Sequence, residues 1–147
     1  MTDFLGGCVC GAVRYRLLSE PYDAGWCHCR VCQQWSGSPA MTFATVPLAD
    51  WRVEQGAEHV RRVRTTNFGN RQFCGQCGSG LTIHIDFQPN EIDIAICTLD
   101  EPGRVAPGFH IFTASKVSWF ETADHFPRHE RYRPDTRGLD GTEPPSP

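Results

Sequence analysis

The sequence predicts a mainly β fold, a single domain of small antiparallel sheets. Apolar and polar residues alternate in a series of short runs, clusters of Gly, Pro and Ser separate them, and no stripe of helical period lasts three turns. A length of 147 residues with 39% apolar content is enough for one core.

Gly6-Gly7-Cys8-Val9-Cys10-Gly11 forms a turn that leads into a strand from Ala12 to Leu18, where Val13, Tyr15 and Leu17 alternate with Arg14 and Arg16. Pro21 and Gly25-Trp26 break this run before Cys27-His28-Cys29-Arg30-Val31-Cys32, which falls in a connection closed by the turn Ser36-Gly37-Ser38-Pro39. Met41 to Val46 alternates again. Trp51 to Gln55 and Val60 to Thr65 read as a hairpin around Gly56-Ala57-Glu58, and Arg61, Arg62 and Arg64 as its solvated face. Phe73-Cys74-Gly75-Gln76-Cys77-Gly78 is a tight cysteine turn whose glycines supply the positive φ angles such turns need.

Leu81, Ile83 and Ile85, then Ile92, Ile94 and Ile96, mark two core strands joined at Gln88-Pro89-Asn90; Cys97 reads as a small buried residue on the second face of the latter strand. Asp100 to Phe109 is a loop, and His110 to Phe120 does not settle between strand and short helix. From Asp124 the chain is polar and Pro-rich. The expected organisation is a domain over residues 1–123 and a polar tail over 124–147. Its last dozen residues are either mobile or an arm packed on the partner subunit of a homodimer.

The eight cysteines decide the chemistry. Met1-Thr2-Asp3 lacks a basic start and no long apolar run follows, so a reducing, cytoplasmic setting is expected, with no membrane span. There, close-spaced cysteines read as metal ligands, and Cys-x-Cys pairs have too little chain between them for an easy disulfide. Cys8/Cys10 and Cys74/Cys77 lie more than sixty residues apart, so one four-cysteine zinc joining them would close most of the chain into a loop. Such a staple contributes folding free energy directly, on the order of 10 kcal/mol in zinc peptides.

Cys27, Cys29 and Cys32 offer three thiols and no obvious local fourth donor. That is the pattern of an open zinc site, which keeps one position for water or substrate. Cys97, His28 and His110 are the candidates to close it. His84 reads as exposed, and His110 as a packed histidine in preference to an acid or base beside the metal.

The formal charge of -3 becomes more negative once the ligating thiols are counted as thiolates. This weighs against a general nucleic-acid binder, whose affinity rests on clustered positive charge. All but one of the 14 basic residues are Arg, a bias that suits bidentate recognition of carboxylates or phosphates.

Gly7-Cys8-x-Cys10-Gly11, Cys27-x-Cys29-x-x-Cys32 with Ser36-Gly37, and Phe73-Cys74-x-x-Cys77-Gly78 occur in this order with spacings that resemble the glutathione-dependent formaldehyde-activating enzyme family, over about residues 4 to 122. The resemblance implies an Mss4-like β-tent of antiparallel sheets clamped by zinc. It also implies two zinc ions per chain: a structural one on Cys8, Cys10, Cys74 and Cys77, and a catalytic one on Cys27, Cys29 and Cys32. The activity implied is that of a carbon-sulfur lyase acting on the adduct of glutathione, or another small thiol, with an aldehyde such as formaldehyde.

A zinc held by three thiolates is a poor generator of hydroxide but accepts a further sulfur ligand, so the chemistry of the residues points to a thiol substrate as well. Arg30, inside the site loop, is the first choice to meet a glutathione carboxylate, ahead of Arg14 and Arg71. The other function class is a zinc-stapled binding module without catalysis, as chromatin-associated relatives suggest. A third, a methionine sulfoxide reductase of similar fold, would need Cys97 as a reactive thiol.

Overall fold

The structure, a computed structural model, describes residues 3–139 and Pro147. In chain order the elements are β1 (Phe4–Gly7), β2 (Arg14–Leu17), β3 (Tyr22–Cys27), α1 (Arg30–Ser36), β4 (Met41–Pro47), β5 (Trp51–Gln55), β6 (Val60–Thr66), β7 (Gly69–Cys74), β8 (Gly80–Ile85), β9 (Glu91–Ala95) and β10 (His110–Ile111). Strands β1, β2 and β5 form a three-stranded antiparallel sheet in the order β1-β2-β5. The other seven form a larger sheet in the order β10-β3-β4-β9-β8-β7-β6, antiparallel except where β10 runs parallel to β3. The mainly β expectation holds, and α1, two turns long, is the one α-helix among the described residues.

The alternation read from the sequence decides which face each residue serves. Tyr15 and Leu17 point inward and are 1% exposed, while Arg14 and Arg16 between them reach out to Asp100 and Glu54. Opposite them, Ala44 and Val46 of β4 and Ile92 and Ile94 of β9 turn one face of the large sheet toward the small one. Phe4, Val13, Leu81, Ile96, Leu99 and Val105 complete this core. Each fully buried aliphatic residue contributes about 1.5–3 kcal/mol. On the other face, Phe43 of β4 and Ala95 of β9 pack with Cys27, Cys29, Cys32, Met41, Phe109 and Phe112 into a second cluster, against which α1 is seated.

Two expectations change in the structure. Trp51 to Gln55 and Val60 to Thr65 are not a hairpin. β5 pairs with β2, and β6 pairs with β7 as the edge of the large sheet, so the chain crosses between sheets at Gly56. The crossing is tight: Gly56 has φ 78°, and a Cβ there would lie 1.9 Å from the Ala12 carbonyl oxygen. Period alone identified both strands but carried no information on their partners.

Cys97, expected inside a core strand, is exposed. β9 ends at Ala95, the chain turns into a 3-10 helix over Ile96–Thr98, and the Cys97 sulfur faces Thr42 Oγ1 at 3.8 Å.

Residues 125–139 lie against the large sheet. His129 N–H donates to the His110 carbonyl at 2.9 Å, Tyr132 packs edge-on against Phe112, and Arg137 Nε and Nη2 each donate to Glu91 at 2.7 Å. Of the last dozen residues, expected as a tail or arm, 140–146 lie outside the described residues.

Candidate functional site

Seven of the eight cysteines gather into two groups. In the first, Cys8 and Cys10 from the β1–β2 turn meet Cys74 and Cys77 from the β7–β8 turn, with all four sulfurs within 4.8 Å of one another. Cys8 and Cys10 are 3.5 Å apart and Cys10 and Cys74 3.9 Å. A tetrahedral zinc with sulfurs at ~2.3 Å would have edges of about 3.8 Å, so the donor set fits that ion. Backbone N–H groups of Val13 and Gln76 donate to the sulfurs of Cys8 and Cys74 at 3.2 and 3.4 Å, a geometry that favours thiolates. Gly11 and Gly78, with φ 79° and 83°, make the two turns that aim these groups. The set joins the small sheet to the large one.

The second group is Cys27 at the end of β3, Cys29 at the N-cap of α1 and Cys32 in its first turn. All three are buried and within 4.8 Å of one another. The Cys32 N–H donates to the Cys29 sulfur at 3.3 Å, so the cap of the helix and the metal position share an atom. No fourth His, Cys, Asp or Glu joins this group among the described residues. His28 points away from it: its Nε2 bonds His110 Nδ1 at 2.9 Å, and His110 Nε2 bonds the Asp124 carboxylate at 3.1 Å. His110 stacks on Trp26 and is 1% exposed, a packed histidine as expected. Burial drives the His28 ring down to about 4, so it stays neutral. His84 is half-buried, its Nε2 bonded to the Pro89 carbonyl at 3.1 Å.

Cys27 and Cys32 of this second group line a cleft over the outer face of the large sheet. Arg71 of β7 is 4% exposed and spans its floor. Nη2 donates to the Cys32 sulfur at 3.3 Å, Nη1 to the Met41 sulfur at 3.6 Å and Nε to Thr65 Oγ1 at 3.2 Å. Hydrogen bonds from Cys27 and Cys29, and then this guanidinium, hold the Cys32 thiol well below its ordinary value. Aromatic and branched residues line the walls, among them Phe43, Ile83, Phe109 and Phe112. At the mouth, Arg137 Nη2 donates to Asp23 at 2.7 Å. Arg133 lies over the Phe109 ring at 4.1 Å, with its Nη2 3.4 Å from the same Asp23.

The family model of glutathione-dependent formaldehyde-activating enzymes matches residues 3–115, which hold both cysteine groups. The chain belongs to that family. A Halomonas elongata protein whose name assigns it, provisionally, to the glutathione-dependent formaldehyde-activating enzymes is 31% identical over 127 residues, covering 79% of this chain and 78% of the relative. An uncharacterised lyase of Schizosaccharomyces pombe is 31% identical over 81 residues, 55% of this chain and 57% of that one. A crystal structure of a Rhodobacter sphaeroides protein superposes with a TM-score of 0.57 at 29% identity, covering 70% of this chain and 91% of its own.

In this formaldehyde-activating-enzyme fold the structure does not bring Arg30 to the cleft. It is exposed at the start of α1, where its Nη1 donates to Gln33 Oε1 at 2.7 Å, and Arg14 is paired with Asp100 beside the small sheet. Arg71, ranked below Arg30 on sequence, is the arginine at the thiols.

Sequence reasoning missed Asp93. It lines the cleft and accepts from Thr45 Oγ1 at 2.7 Å, and burial pushes its carboxyl up to about 7. The signal was its place between Ile92 and Ile94, an acid on the second face of a core strand. The pattern could not show that this face looks into a cleft.

Proposed function

We propose that the protein is a zinc-dependent carbon-sulfur lyase-type enzyme that joins a small thiol, glutathione first, to an aldehyde such as formaldehyde and cleaves the adduct. The observation that carries this is the three-thiol group, buried, lacking a fourth protein donor among the described residues, with Cys27 and Cys32 lining a cleft whose other walls are largely apolar. Cys8, Cys10, Cys74 and Cys77 hold a structural zinc, and Cys27, Cys29 and Cys32 a catalytic one. When bound, the second zinc supplies a ligand position that keeps the substrate sulfur ionised at neutral pH, where a free thiol near pKa 8.5 is only a few per cent thiolate.

The protein's own residues supply the rest. Arg71 sets a buried positive charge against this thiol-rich anionic centre, in contact with Cys32. The apolar walls exclude water from the aldehyde. Arg133, which lines the cleft and faces Asp23, is the arginine we assign to a carboxylate of glutathione, the part first given to Arg30. Membership of a glutathione-dependent family supports that thiol.

Glutathione titrated into the cobalt-substituted protein tests the reading. A sulfur-to-metal charge-transfer change is expected in the native sequence, with loss of the change in Cys29→Ser, together with faster exchange between glutathione, formaldehyde and their adduct. No spectral change with any of several small thiols would refute thiol ligation. A change without faster exchange would leave a thiol-binding site that is not this enzyme.

A further inference from the structure

Thiol addition to an aldehyde leaves an oxygen that must gain a proton, and cleavage of the adduct requires the hydroxyl to lose one. A group that trades protons near neutral pH is therefore needed in the cleft. The cysteines have another task, and a guanidinium has donors only and no acceptor to take up a proton.

Thr45, Asp93, Ile83 and Arg71 are successive partners across β4, β9, β8 and β7, and all four border the cleft. With strands about 4.8 Å apart, Asp93 stands about 10 Å across the floor from the Arg71 backbone, whose guanidinium reaches the thiols. One oxygen of Asp93 accepts from Thr45 at 2.7 Å; its other oxygen has no protein partner among the described residues. A carboxyl group with one oxygen left open, at the floor of an apolar cleft that also holds Cys27 and Cys32, is the arrangement of a proton-transfer group.

On the reading of the site given above, we infer that Asp93 is the acid and base of the reaction, exchanging a proton with the oxygen of the hydroxymethyl adduct directly or through one water. In addition, the substrate thiol has released its proton on binding. The sulfur pair forms the C–S bond, the carbonyl π pair moves to oxygen, and that oxygen takes the proton of the Asp93 carboxyl. The resulting carboxylate regains a proton from solvent, equivalent to the one the thiol released.

In cleavage the Asp93 carboxylate removes the hydroxyl proton. The O–H pair becomes the carbonyl π bond, the C–S bond breaks, and its electrons remain on sulfur. Burial sets the protonation of Asp93 in the range this requires. The charges of Glu91 on its own strand and Cys32 on α1 push in the same direction, while the Thr45 hydroxyl on β4 and Arg137 of the C-terminal segment push against it.

The two directions must show opposite pH limbs, since addition uses the protonated carboxyl and cleavage the carboxylate. Around pH 7 the addition rate is expected to fall as pH rises and the cleavage rate to rise. Asp93→Asn keeps the shape of the side chain and cannot transfer the proton. It is expected to flatten both limbs and lower kcat by about 100-fold or more, with KM and the cobalt-monitored glutathione affinity unchanged.

Thr45→Val removes the bond that favours the charged carboxyl, so both limbs should move to higher pH. This second variant carries the test if the first does not fold. Retained kcat and limbs in Asp93→Asn would overturn the inference, as would a raised KM at unchanged kcat, which would make Asp93 a partner for the substrate's ammonium group. Native protein that forms and cleaves no adduct would instead end the reading of the site, and this inference with it.

Discussion

Asp93 is also a stability determinant. Its folded-state value of about 7 lies above the ordinary carboxylate value near 4, so between these two the folded state binds more protons than the unfolded one. Stability contributed at this position is therefore fully present at low pH and lost as pH rises from about 4 to about 7, at no more than about 1.4 kcal/mol per pH unit. Asp93→Asn, neutral throughout, is expected to melt near the native protein at pH 4 and to gain on it steadily up to neutrality, as denaturant midpoints at several pH values would show. A constant difference across that window would mean that the carboxyl titrates normally.

At this same scale the sequence displayed both cysteine groups that the fold gathers into sets able to hold a metal ion, because thiols announce themselves by type and spacing. It hid Asp93, and it could not show that Arg71 lines the cleft while Arg30 does not. A charge beside a motif and a charge inside a cleft look alike until the register of β7, β8, β9 and β4 is known.

Among the elements, strands were legible wherever one face is buried and the other wet, as in β2, and less so where both faces are covered. β8 shows the difference: a register shift opposite Gln72 and Phe73 sends Leu81 and Thr82 to the core between the sheets, while Ile83 and Ile85 face the cleft. Partnering was not legible, since β5 and β6 follow each other in sequence yet belong to different sheets.

The four-thiol set joins those two sheets, whereas Cys27, Cys29 and Cys32 span only the end of β3 and the first turn of α1. Cys74→Ser is accordingly expected to unfold or strongly destabilise the protein, while Cys29→Ser leaves a folded domain that retains one metal ion, measurable by thermal melting with elemental analysis. Equal loss of melting temperature in both variants would make the middle group structural.

For the molecule as a whole, the composition already argued against nucleic acid, and the structure adds that Arg64 on edge strand β6 is committed to Asp86. Weak duplex-DNA binding at about 0.15 M salt is expected. A submicromolar dissociation constant would favour a binding module.

The C-terminal segment supplies Asp124 to His110 and Arg137 to Asp23 and Glu91. Removal of residues 124–147 should therefore lower the melting temperature, at about 2–4 °C per kcal/mol lost. An unchanged melting curve would show that the segment adds nothing to the fold.

The wide separation of the two halves of the staple also orders the events of synthesis. A chain emerging from the ribosome exposes Cys27, Cys29 and Cys32 together, within six residues of sequence. Cys8 and Cys10 must wait for Cys74 and Cys77. Throughout that interval the nascent protein holds one complete three-thiol set and half of the four-thiol set. Closure of the two sheets then becomes a late, long-range event that free metal and competing thiols in the surroundings can hasten or delay.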